Sequence, residues 1–253
     1  MEKISRRDFA KNMLGAMFSV TLVTSLCEAG SLKGSVKPVA HKWVFEMNRL
    51  GKELRTHQIK PAEWQEQIES LLGQVEMPDL LKAIDYDQLA KSTKMFDDHE
   101  TAEDVTFDRV RGLPDELSFA PYFYAMRKGV SVVPHGHQNM TTMHMMLKGA
   151  AHGWHYDRLA DEPEHLIIKP TKDKILQPGD VSTISDERDN IHWFRAETDP
   201  VFMFNIGVYT LNPKAATTGR DYIDPQRGEK QPDGTIRVPR ISGEQAYKIY
   251  GKS

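Results

Sequence analysis

From His41 to about Asp98 apolar residues recur at the three- and four-residue spacing of amphipathic helices. Trp43, Met47, Leu50 and Leu54 share one face, Pro61 opens a second helix with the stripe Trp64, Ile68, Leu71 and Leu72, and Pro78 opens a third carrying Leu81, Ile84 and Leu89. Such stripes are core faces that need something to cover, which makes Trp43 and Trp64 packing anchors. The acidic run FDDHETAEDVTFDRVRGLPDE, broken by Gly112 and Pro114, is a connector with at most one short strand. Beyond it the period shortens. LSFAPYFYAMRKGVSVVP, TTMHMMLKGAAHGWHYDRL, EHLIIKP, DKILQPGDVSTIS, NIHWFRAET and VFMFNIGVYTL are runs rich in aromatic and β-branched residues, set apart by Gly, Pro, Asp and Asn. That spacing predicts an antiparallel sandwich or barrel, and Asp233-Gly234 predicts a tight hairpin.

The first residues belong to neither pattern. Arg6 and Arg7 stand before the apolar stretch MLGAMFSVTLVTSL, too short to span a bilayer comfortably, and Ala29 offers a small residue for cleavage. With Ser5, Phe9 and Lys11 in place, this resembles a bacterial twin-arginine export signal. It implies passage through the twin-arginine translocase to a periplasmic or otherwise exported location, with no stable membrane anchor after cleavage. Cys27, the single cysteine, falls within the leader, so the mature chain is expected to have neither a disulfide nor a thiolate ligand. The expected division is a signal peptide over residues 1–29, a helical segment and connector over 30–115, and a β-barrel domain over 116–253. With 39% hydrophobic residues the 253-residue chain can bury a core, and a net charge of −3 gives no reason to expect nucleic acid or an anionic membrane as partner.

Chemistry concentrates in the barrel. In PHGHQNMT, His135 and His137 share one face of a strand while Gly136 points away. Two imidazoles hold a divalent ion weakly, so a third ligand is needed from His144, His152, His155, His165 or His192. His192 is favoured, because the Pro-Gly turn in QPGD and the polar turn after it return the chain to the start of NIHWF. The other four are read as surface or satisfied core histidines. Met140, Met143, Met145 and Met146 are read as barrel packing, and Arg220 and Asp221 as shaping the mouth of the site or forming a turn.

Over roughly residues 116 to 225, PHGH, LKG, QPGD and NIHWF resemble the two metal motifs of the cupins, which implies a mainly β fold: a double-stranded β-helix barrel, here preceded by the helical segment. Where the first cupin motif usually has a glutamate, this chain has Thr141 or Thr142, while Gly149 supplies the expected glycine. Loss of the acid, together with YDR and GRDY, makes the chain similar to the thiol dioxygenases of the cysteamine dioxygenase and plant cysteine oxidase branch. The resemblance implies His135, His137 and His192 as ligands of ferrous iron, a small thiol as substrate, dioxygen as co-substrate and a sulfinate as product. Two departures stand out: Asn205 replaces an aspartate, with Tyr209 matching the tyrosine after it, and Tyr222 replaces the cysteine of the family's last segment. Asn205 and Tyr209 are therefore the candidate catalytic residues besides the ligands. Zinc or manganese with hydrolase, lyase or isomerase chemistry, and binding of a metal or small ligand without turnover, remain the alternatives.

Overall fold

The computed structural model describes residues 41–215 and 219–252; the expected leader, with Arg6, Arg7 and Cys27, lies outside the described residues. Among the described residues four helices come first: α1 (Lys42–Arg55), α2 (Pro61–Leu72), α3 (Met77–Ala83) and α4 (Tyr86–Ser92). Pro61 occupies the first turn of α2, where its missing N–H leaves no acceptor unpaired, and Glu63 lies beside the positive end of the helix. The third predicted helix is two short ones. Asp85 adopts a left-handed φ of 54°, which an α-helix cannot carry, and the chain breaks there between α3 and α4.

Twelve strands follow: β1 (Thr101–Asp104), β2 (Ala120–Met126), β3 (Ser131–Gly136), β4 (Met140–Lys148), β5 (Ala151–Asp161), β6 (His165–Leu176), β7 (Val181–Ile184), β8 (Ile191–Ala196), β9 (Val201–Tyr209), β10 (Asp221–Tyr222), β11 (Glu229–Lys230) and β12 (Ile236–Pro239). The final helix α5 (Gly243–Tyr250) starts with a reciprocal cap, in which Ser242 Oγ accepts the Gln245 N–H and Gln245 Oε1 accepts the Ser242 N–H. One sheet has the order β1-β2-β9-β4-β7 and the other β10-β3-β8-β5-β6-β12-β11, all pairs antiparallel. With β5 and β6 kept together as a hairpin, the chain otherwise alternates sheets from β2 to β9. That strand order is a jelly roll, the double-stranded β-helix expected from the motifs.

Side-chain alternation divides the interior into three cores. Phe202, Phe204, Ile206 and Val208 of β9, with Met143 and Met145 of β4, face outward and meet Trp43, Met47, Trp64 and Ile68 of the helices. The helical stripes therefore cover the first sheet, each large side chain contributing about 1.5–3 kcal/mol by burial. Tyr156, Ile191 and Trp193 face outward on the other sheet, beneath Val238, Ala246 and Tyr250. Between the sheets lies a dry floor of Met126, Val132, Met146, Phe194, Val201 and Met203. Of the four methionines, only Met146 joins this inner floor, while Met143 and Met145 pack against the helices.

Candidate metal centre

Above that floor the inner faces turn polar. On β3 a bulge does the aiming: Val132 pairs with Phe194 and His135 with His192, so Val133 and Pro134 together oppose Trp193 alone. Strict alternation from the inward Val132 would turn His135 outward, and the extra residue resets it. Beyond Pro134, β3 continues through His135 to Gly136, and proline is tolerated where the ladder is already interrupted. His137 follows just beyond the strand end.

His135, His137 and His192 each offer a ligand atom, and these atoms lie within 4.8 Å of one another. Among the described residues they are the one group of three or more histidine, cysteine, aspartate or glutamate side chains so arranged. His135 Nδ1 donates to the Val133 carbonyl at 2.7 Å, which leaves Nε2 with its lone pair. That Nε2 stands 2.9 Å from Nε2 of His137. Two nitrogens about 2.1 Å from one ion and at right angles to each other stand about 3 Å apart, so this pair suits a shared metal. The donor set of three imidazoles fits a divalent transition ion.

Burial, then the Arg220 guanidinium, hold the His137 ring to a pKa of about 4. Burial likewise pushes His135 and His192 well below the usual histidine range, with Arg220 next for His135 and His135 itself next for His192. The rings are thus neutral, the form that binds metal. Arg220 is itself held charged: burial opposes this, but Glu100 at 2.7 Å and Tyr247 outweigh it.

The strand register adds residues that sequence reading set aside. His192 pairs with His135 on one side and His155 on the other, making a row of three histidines across the second sheet. His144 enters from the first sheet, with its ring 5.6 Å from that of His192. His144 and His155 are neither surface residues nor fully satisfied core ones. Nδ1 of each is buried without a hydrogen-bond partner, as is Nδ1 of His192, although His155 Nδ1 stands 3.9 Å from Asp189 Oδ2; His155 Nε2 is paired to Ser182 Oγ at 2.8 Å. Burial first, then neighbouring charges, depresses both to about 3. Register was the missing signal, since sequence spacing does not show which strands become neighbours. His152 and His165 are partly exposed, as expected of surface histidines.

Asn205 is cross-strand partner to His144, and its amide is already used: Nδ2 donates to Thr142 Oγ1 at 2.7 Å and to the Met143 carbonyl at 2.8 Å. Tyr209 lies on the same face of β9 and folds back over Gly207, where a Cβ would stand 2.5 Å from its ring. Burial, then Tyr124 and Tyr122, raise its phenol above the ordinary value, so it stays protonated. Tyr222 places its ring 6.2 Å from that of His135. Beside His137 opens a cleft of about 480 Å³, edged by Gln138, Asn139, Asn190, Asn212, Arg158 and Asp186. The residues along its edge carry amides and charges. Arg220 and Asp221 line a smaller adjoining cleft of about 260 Å³, in keeping with a place at the mouth.

No protein-family model matches the chain, and no curated protein matches it by sequence. The solved structures similar to it include a cupin superfamily protein from Desulfitobacterium hafniense (16% identity, 48% of this chain and 87% of that one, TM-score 0.31). KdgF from Halomonas sp. is 14% identical over 43% of this chain and 76% of its own, with a TM-score of 0.30. Procruciferin, the 11S globulin of Brassica napus, is 12% identical over 36% of this chain, TM-score 0.29, and the match spans 21% of its length. The fold assignment rests on the strand order itself.

Proposed function

We propose that this chain is an exported mononuclear iron dioxygenase that oxidises a small thiol to a sulfinate. The observation that carries the reading is a centre of three neutral imidazoles, His135, His137 and His192, without a carboxylate. Such a set leaves the full charge of a divalent ion uncompensated and several positions free, which suits an anionic sulfur together with dioxygen. Iron held there would supply one-electron chemistry toward dioxygen and a seat for a thiolate. In the overall reaction RSH + O2 gives RSO2H: both oxygen atoms join sulfur, sulfur is oxidised and dioxygen reduced, and no further reductant is needed.

The remaining roles fall to side chains already described. The Arg220 charge favours the thiolate over the thiol at the neighbouring position. The dry floor below excludes water from one side, while the cleft beside His137 admits the substrate. Tyr209 is assigned as a hydrogen-bond donor to an oxygen at the mouth. Asn205, an amide with no proton to give or take, is assigned to shaping the wall. Zinc or manganese in the same triad, with hydrolytic, lyase or isomerase chemistry, is the second reading, since three imidazoles with an open position also make a catalytic zinc site.

The test is oxygen uptake by mature protein loaded anaerobically with ferrous iron and offered cysteine, cysteamine and peptides with amino-terminal cysteine. The expected result is one dioxygen consumed per thiol, a product heavier by two oxygen atoms, and loss of at least about a hundredfold in rate with His192→Ala. Absence of uptake with every thiol, from protein shown to hold iron, contradicts the reading and favours non-redox chemistry or ligand binding.

A further inference from the structure

His135 and His192 are fixed to one another by strand pairing, but His137 lies past the last ladder residue of β3, so something else must hold its backbone. The turn between β7 and β8, residues 185–190, does so from two sides. Asp186 Oδ2 accepts the Asn139 N–H at 2.8 Å, and Asn190 Nδ2 donates to the His137 carbonyl at 2.8 Å and to the Ser185 carbonyl at 3.2 Å. Asn190 is buried and stands two residues before His192, so one amide joins the approaches to two ligands.

That turn is in turn held by the helical segment. Ser185 Oγ donates to Gln65 Oε1 at 2.7 Å and receives the N–H groups of Glu187 and Arg188. Gln65 Nε2 donates to Thr183 Oγ1 at 3.2 Å and to the Arg188 carbonyl at 3.4 Å. On the next turn of α2, Glu69 takes the Thr183 hydroxyl and Arg188 Nη2. Gln65 is fully buried on a helix otherwise held by Trp64, Ile68 and Leu72, a position where an apolar side chain of similar volume would pack without the desolvation cost of an amide. Apart from Asn190 Oδ1 and Arg188 Nε, which are buried without a partner, the path is hydrogen-bonded, and such a path restricts a turn to one arrangement, which apolar packing does less well.

We propose that Gln65, Ser185 and Asn190 are positioning residues, a latch through which helix α2 sets His137 against His135 and His192. The proposal rests on the metal reading of these histidines. It gives the helical segment a task in the metal centre beyond covering the first sheet.

The experiment is titration of the metal-free mature protein with Co²⁺ against a competing chelator, recording affinity, the visible spectrum of bound cobalt and the melting temperature. Asn190→Asp keeps the shape but turns a donor into an acceptor facing two carbonyls, and is expected to weaken cobalt binding about 10- to 100-fold, the usual range for groups that orient ligands. Gln65→Met is expected to weaken it roughly tenfold and to shift the cobalt spectrum in the same direction, with the double variant less than additive. If Gln65→Met does not fold, Ser185→Ala cuts the same link, and Gln67→Met, at a partly exposed position of the same helix, serves as the control. Variants that melt lower yet bind cobalt with wild-type affinity and spectrum overturn the latch while leaving the metal site standing. Failure of the wild-type protein to bind cobalt or ferrous iron overturns the metal reading, and the latch with it.

Discussion

The buried histidines tie the protein's stability to pH. In the unfolded chain these side chains take up protons near pH 6.5. In the folded protein His137 resists to about 4, and His144 and His155 to about 3. Between those limits the unfolded state binds more protons, so the folded state keeps its full stability above about pH 6.5 and loses it as pH falls toward 4. The melting temperature of metal-free protein should drop by more than about 5 °C between pH 7 and pH 5, and the drop should shrink in a His144→Gln, His155→Gln double variant. Differential scanning calorimetry across that range checks it, and a flat profile would contradict the buried neutral rings. Asn205 allows a second test. In Asn205→Asp an acceptor faces the Met143 carbonyl, and Thr142 Oγ1, which donates to the Ile206 carbonyl, has no proton to offer. Introducing this carboxylate should therefore cost on the order of 1–3 kcal/mol in chemical denaturation, not improve the site.

At the scale of elements, glycine and the bulge make the sharpest contrast. Gly149, after β4, has a φ of +79°, and a Cβ there would stand 2.5 Å from the Pro200 carbonyl oxygen. Gly149→Ala meets backbone on a strained φ, so it should destabilise by about 2 kcal/mol or more, read as a lower urea midpoint with the slope unchanged. Gly149 was legible in the sequence through the motif resemblance. So were the helical stripes, the barrel strands and the hairpin at Gly234, because apolar period and turn chemistry are local signals. The divided third helix depended on the backbone of Asp85, and the aim of His135 on a bulge at Val133 and Pro134. Neither leaves a mark on periodicity. Helix α5 did leave one, in Ser242 and Gln245 at capping-box spacing, but eight residues are too few for an apolar period to stand out.

For the molecule as a whole, the three candidate ligands were legible because H-x-H and the histidine after a Pro-Gly hairpin are each local patterns. The polar layer around them was not, since His144, His155, Ser182 and Asn205 meet only when two sheets close face to face. The account stands on which histidines of that layer hold the ion. The most direct measurement is equilibrium titration with ferrous iron under anaerobic conditions, on wild type and on five single alanine variants at His135, His137, His144, His155 and His192. The account predicts one ion per wild-type chain, binding weakened at least about a hundredfold by each of His135→Ala, His137→Ala and His192→Ala, and a stoichiometry of one retained by His144→Ala and His155→Ala. Wild-type affinity in the His192 variant, or loss of the ion only with His144→Ala or His155→Ala, would contradict it.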